Sequence, residues 1–134
     1  MKIITVNHVG LSITDRRESL PMYRDLMGLR IIPAMENGKS LIWMESEDHT
    51  MVHTIEGAPI PHFAFEVEDF DAALEEVRAA DIEIIKGPLE RMDGQRAFYC
   101  FDPDGNRLEF TTGRNLKQPP TVRIVDEWGH TTDA

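Results

Sequence analysis

Residues 7–15 read NHVGLSITD and residues 61–69 read PHFAFEVED, and a shift of 54 positions lays the first on the second. The shift pairs His8 with His62, Asp15 with Asp69, Leu20 with Leu74 and Arg24 with Arg78. After one lost residue, Ile31-Ile32 meets Ile84-Ile85 at a shift of 53. The copies close with TMVHT (50–54) opposite NRLEF (106–110), which sets His53 opposite Glu109. An internal repeat constrains a fold more than any local propensity, because both copies must adopt one architecture. Each copy here spans roughly 55 residues, too few to bury a sufficient core alone. The copies are therefore expected to fold against each other or against a second chain, and a homodimer is expected.

The repeated unit is legible as strand, helix and three strands. Residues 3–13 and 61–68 alternate with a period of two, and His8 and His62 fall opposite the strongly apolar face. Asp15 and Asp69 follow as helix N-caps. Phe70, Leu74 and Val77 have helical spacing, as do Leu20, Tyr23 and Leu26-Met27. Pro21 implies that regular helix in the first copy starts near Ser19, or that its first turn is irregular. Gly28 suits a helix C-terminus. Further strands are expected near 29–34, 39–46 and 50–56, and near 82–86, 95–101 and 106–112. Their turns carry Asn37-Gly38, Asp93-Gly94 and Asp104-Gly105. The expected fold class is α+β. One domain spans 1–113, with module one at 1–56, a stiff linker at 57–61 and module two at 61–113. A polar tail follows at 114–134, with a short strand at 121–125 and Trp128 as its anchor if it docks.

Composition excludes several partners. The net charge of −10 argues against nucleic acid, since phosphate binding needs clustered cations. It argues equally against anionic membrane surfaces. No apolar run approaches the ~18 residues of a membrane span. No signal peptide is visible at MKIITVNHVG, so the expected location is cytoplasmic. Cys100 is the one cysteine. No internal disulfide can form, and the run RAFYCF makes it a small core residue.

His8, His62 and Glu109 are the candidate metal ligands. Two imidazoles and one carboxylate leave positions open on a divalent ion for a substrate or O₂. His53 is a candidate fourth ligand, a nearby acid or base, or an inert strand residue. Tyr99, one strand from Glu109 across the turn DPDG, is a candidate hydrogen-bonding group. Arg107 and Thr111 share the face of Glu109. Ile32, Leu41, Trp43 and Met51 are candidates for the remaining wall or for core.

The paired modules, NHVGLSITD with YRDLMGL, HFAFEVED and FYCFDPDGNRLEF together resemble the vicinal oxygen chelate superfamily over roughly residues 3–112. That group contains glyoxalase I, methylmalonyl-CoA epimerase, fosfomycin-modifying thiol transferases, extradiol dioxygenases and bleomycin-binding resistance proteins. The resemblance implies two tandem βαβββ modules forming a cupped, half-open mixed β-barrel with helices outside. It implies a metal held by His8, His62 and Glu109, within one chain or between two. The spacing from Phe98-Tyr99 through Asp102-Pro103 and Gly105 to Glu109 resembles half of the extradiol dioxygenase signature, in which the tyrosine contacts substrate and the glutamate binds Fe(II). The other half needs a histidine where this chain has Glu90, Arg91 and Met92. Glyoxalase I and the epimerase have Glu or Gln where this chain has His53. The thiol transferases share the three ligands, but their basic pocket is not evident in ERMDGQ. The antibiotic-binding branch lacks the metal set.

The resemblance thus implies a metal-dependent enzyme, with an extradiol-dioxygenase-like reaction on a catechol or vicinal-oxygen small molecule favoured. Tyr99 and His53 are its expected catalytic groups. Fe2+ is the favoured ion, with Zn2+, Mn2+, Ni2+ and Co2+ as alternatives. The rival functions are a glyoxalase-like lyase or isomerase, a thiol transferase, and a non-enzymatic resistance protein that binds small molecules.

Overall fold

The computed structural model describes residues 1–34, 40–58, 60–113 and 123–133. The expected turn at Asn37-Gly38, Pro59 of the linker, and tail residues 114–122 lie outside them. The first module comprises β1 (Ile3–Ile13), α1 (Arg16–Leu20), β2 (Arg30–Ile32), β3 (Leu41–Glu45) and β4 (Met51–Glu56). The second comprises β5 (His62–Val67), α2 (Phe70–Ala79), β6 (Lys86–Glu90), β7 (Arg96–Phe101) and β8 (Arg107–Thr111). Both are β-α-β-β-β, as the repeat requires.

Eight strands form one mixed sheet in the order β2-β3-β4-β1-β5-β8-β7-β6. Each first strand pairs in parallel with its module's last strand, and β1 and β5 join the modules antiparallel. The sheet is cupped and does not close. β2 and β6 are its two edges. The repeat holds at the level of register: Gly10 pairs with His53, and Ala64, its repeat partner, pairs with Glu109.

The helices cover the outer face. Asp69 accepts a hydrogen bond from the Ala72 amide at 3.0 Å and starts α2, a cap worth about 1 kcal/mol. Phe70, Leu74 and Val77 then pack with Phe98, Cys100 and Phe110 from β7 and β8. Cys100 is a core residue, its thiol pushed up mainly by burial. Around α1 a second cluster joins Ile13, Leu20, Ile42 and Met44.

Three expectations are corrected. The first helix begins at Arg16 rather than near Ser19, with Asp15 accepting from the Arg17 amide. The irregularity falls at Pro21, where the chain widens into a π-helical turn over Pro21–Leu26. Proline has no N–H for an i→i−4 bond, so the helix reorganises there instead of starting late. Gly28 ends this segment at φ +77°. The strand expected at 82–86 lies at Lys86–Glu90 instead. Residues 82–85 carry the chain from α2 back to the sheet edge, and Ile84 contributes to the outer core on the way.

The polar tail, expected to carry one short strand and to dock through Trp128 if it docks, contains a hairpin of β9 (Arg123–Val125) and β10 (Thr131–Asp133). It docks on its own chain. Trp128 packs against the cluster under α1, and the buried Arg16 donates to the Trp128 carbonyl at 2.8 Å.

Candidate metal centre

His8 on β1 and His62 on β5 sit on neighbouring antiparallel strands, each across from a small residue. His8 pairs with Ala64, and His62 pairs with Gly10. Each ring therefore lies over the neighbouring strand, and the two Nε2 atoms approach to 3.0 Å. β8 lies beside β5 and places Glu109 opposite Ala64. Glu109 Oε1 lies 3.4 Å from His8 Nε2 and 3.6 Å from His62 Nε2, all within one chain. All three side chains are buried.

This donor set fits a divalent ion. Separations of 3.0–3.6 Å are about those of neighbouring ligands around an ion bonded at roughly 2.0–2.2 Å. Glu109 Oε1 is buried without a normal hydrogen bond, an orphaned acceptor facing two imidazoles. Nδ1 of His8 contacts Asn7 Oδ1 at 2.8 Å, the outer contact that orients a ligating histidine. The electrostatics agree. Burial first, and then the charge of His8, lowers the His62 pKa to about 4, so its ring is neutral near pH 7. Burial acts to raise the Glu109 pKa. Polar contact with His8, aided by Arg91 and Tyr99, outweighs it and brings the value down to about 2.

The cluster opens into a cavity of about 360 Å³. On one wall Trp43, His53 and His8 form a continuous ring stack. His53 lies 3.8 Å from His8 and 4.2 Å from Trp43 between centroids, its ring nearly parallel to the indole. The ligand atoms that lie within 4.8 Å of one another belong to His8, His62 and Glu109, not to His53. On the opposite wall Tyr99, the register partner of Glu109, receives a 3.0 Å hydrogen bond at its hydroxyl from Arg91 Nη2. Lys86 and Arg107 lie over the Tyr99 ring at 5.3 and 4.8 Å. Burial, and then the Glu109 charge, hold the Tyr99 hydroxyl protonated far above its usual range.

A basic wall that the run ERMDGQ did not make evident is therefore present. Lys86, Arg91 and Arg107 all line the cavity. Lys86 and Arg91 come from β6 and its turn. Their motif carried no anion-binding signature, and only strand pairing brings them to Tyr99. Leu41 and Trp43 form part of the wall as expected, while Ile32 and Met51 pack behind Trp43. Thr111 bonds to the Arg96 carbonyl and is not part of the lining.

Residues 5–110 match the model of the Glyoxalase/Bleomycin resistance protein/Dioxygenase superfamily. The chain is 26% identical to the metallothiol transferase FosB of Staphylococcus epidermidis, with 84% of each chain covered. It is 28% identical to the lactoylglutathione lyase of Haemophilus influenzae, covering 82% of this chain and 93% of that one. Among solved structures it resembles methylmalonyl-CoA epimerase with methylmalonyl-CoA bound, at TM-score 0.65 and 16% identity, over 88% of this chain and all of that one. It also resembles a variant of homoprotocatechuate 2,3-dioxygenase from B. fuscum, at TM-score 0.69 and 17% identity, over 95% of this chain and 43% of that one. At these identities the solved structures speak for the fold alone.

Proposed function

We propose that this chain, which belongs to the glyoxalase/bleomycin resistance protein/dioxygenase superfamily, is a metal-dependent enzyme acting on a small anionic molecule with two neighbouring oxygens. His8, His62 and Glu109 are its proposed metal ligands, with Fe2+ favoured and Zn2+, Mn2+, Ni2+ or Co2+ as alternatives. A divalent ion held there supplies Lewis acidity for two adjacent substrate oxygens. Tyr99, kept protonated and held by Arg91, donates a hydrogen bond to a substrate oxygen. His53 lines the same cavity from the other wall and serves as the proton acceptor and donor. Lys86, Arg91 and Arg107 hold the anionic group in a partly enclosed space, where charge pairing is stronger than in water. The reaction best supported is extradiol-type ring opening of a catechol bearing an acidic side group. The observation that carries it is the placement of His53 and Tyr99 on opposite walls of the one cavity that contains the His-His-Glu cluster.

A second reading has specific support. Thiol transferases and a lactoylglutathione lyase cover most of this chain's length, and a basic wall suits their chemistry as well. One comparison separates the two. Anaerobically Fe(II)-loaded protein is expected to open the ring of an acid-bearing catechol when O₂ is admitted. His53→Ala should keep its metal and lose turnover by about 10²–10⁴-fold, the range for a lost acid or base. No ring opening with Fe(II), together with turnover of glutathione adducts by Zn(II)- or Ni(II)-loaded protein, would establish the second reading instead.

We also propose a homodimer. Ile3, Ile4 and Val6 of β1 and Phe63 of β5 are large apolar side chains left exposed on adjoining strands at the middle of the sheet, and exposed apolar surface favours association. Light scattering at micromolar concentration should give twice 15.3 kDa; a monomer mass there excludes the dimer.

A further inference from the structure

The C-terminal hairpin lies beyond the residues matched by the family model, yet it touches both edges of the cup. On one side the Thr131 hydroxyl oxygen accepts a 3.1 Å hydrogen bond from the Ala34 amide. On the other, Arg123 Nη1 donates to Met92 Sδ at 3.0 Å. Ala34 lies two residues past β2, which ends at Ile32, and Met92 lies two residues past β6, which ends at Glu90. β2 and β6 are the two edge strands of the sheet. One short hairpin thus joins points just past the equivalent edge strands of the two modules, where the cup stays open.

Both contact points lead to the cavity walls. Ala34 packs with Trp43 and Met51, and Trp43 carries the stack to His53 and His8. Met92 follows Arg91, whose guanidinium holds the Tyr99 hydroxyl. The hairpin is built to be stiff. Asp126 Oδ1 accepts from the amides of Trp128 and His130, both at 2.9 Å, and Gly129 turns at φ +78°. It is also firmly docked. Trp128 enters the core under α1, Arg16 and Arg24 donate to the carbonyls of Trp128 and Glu127, and Arg17 and Arg24 stand over the indole. Gly129 lies so close to Ile42 that an added Cβ would fall 2.6 Å from Ile42 Cγ2.

We propose that this hairpin is a clasp. It fixes the separation of the two sheet edges and thereby the spacing between the His53 wall and the Tyr99 wall. Thr131 and Arg123 are its two grips and act as positioning residues. A tail that merely thickened the core of module one would need no grip on module two. The clasp does not support the metal ligands, which sit on the central strands β1, β5 and β8.

The test uses two single substitutions in the full-length chain, each releasing one grip: Thr131→Val and Arg123→Ala. Amide hydrogen exchange is followed by mass spectrometry at residues 30–34 with 41–45, and at residues 86–99. A clasp predicts that either substitution speeds exchange at both edges, by roughly threefold to tenfold, the scale of one lost hydrogen bond. Co(II) affinity, titrated through its visible absorption, should stay within about threefold of the parent, well short of the loss expected when a ligating or orienting group is removed. Acceleration confined to the edge beside the released grip, or at neither edge, would overturn the proposal. So would a loss of Co(II) from either variant that still melts cooperatively. Because Co(II) is followed separately, failure of the clasp is distinguishable from failure of the metal assignment.

Discussion

Glu109→Ala is expected to strip the protein of its divalent metal while leaving the sheet intact. The carboxylate is the third corner of the buried cluster, 3.4 and 3.6 Å from the two Nε2 atoms. Two histidines alone bind a divalent ion far more weakly, and the fall in affinity should exceed the 10–100-fold typical of a lost outer-sphere contact. The packing around it comes from Leu108 and Phe110, which face the outer core. The substitution also leaves Arg91 beside a position that has lost its negative charge, 3.9 Å from the former carboxylate oxygen. That cost falls on stability, because taking one charge partner away from a largely buried guanidinium is unfavourable. Glu109→Gln keeps the shape and removes the charge, so it separates ligation from packing. Metal content and thermal melting should be measured on the same samples. Parental metal content in both variants would remove Glu109 from the ligand set.

Gly10→Ala should be nearly as damaging, although the second copy already carries alanine at the equivalent place, Ala64. The two positions are not interchangeable in three dimensions. A Cβ on Gly10 would lie 2.7 Å from His62 Nε2 and closer still to Cε1 and Nδ1. The imidazole rests on the bare backbone of β1, and one methyl group displaces it. Overpacking of this kind costs about 1–3 kcal/mol. The larger consequence is for metal: with His62 moved, the cluster loses a corner, and Co(II) affinity should fall by at least about 10-fold, as when the geometry of a ligand is left unsupported. Ala64→Gly is the control. It opens space beneath His8 and should cost about 1 kcal/mol in strand stability, with metal retained. Full Co(II) affinity in Gly10→Ala would show that His62 can bind from another rotamer.

The pairing of Gly10 with His62 illustrates where sequence reading stops. Each histidine is followed two residues later by a small residue, His8 by Gly10 and His62 by Ala64. The signal was present in the repeat, but its meaning is not local. A small residue on a strand is ordinary until the neighbouring strand and its register are known, because only then is it clear which side chain lies over it. The same holds for the basic wall. Lys86 and Arg91 look like solvated charges in a polar stretch. They become part of a site because β6 pairs with β7 and the curl of the sheet turns that edge inward. The tail shows a third form of the limit. Trp128 was recognisable as an anchor, but whether it anchors on its own chain or on another depends on which apolar surface its path reaches.

By itself the sequence determined the modular architecture, since two copies with matched periodicity and matched turns admit one pairing of equivalent elements. It also singled out His8 and His62, because a repeat that carries the same side chain to the same strand position twice leaves little to chance, and Glu109 as the carboxylate on the closing strand of the second copy. The tertiary structure alone decided that these three groups meet within one chain. It decided that His53 stacks on His8 outside the cluster of ligand atoms, and that three cations surround Tyr99. It also set the C-terminal hairpin across both edges of the cup. The reason is the same in each case. Periodicity reports the face a residue occupies on its own element, whereas a site is made by side chains from different elements. Their distances follow from strand register, sheet curvature and the path of the chain between strands.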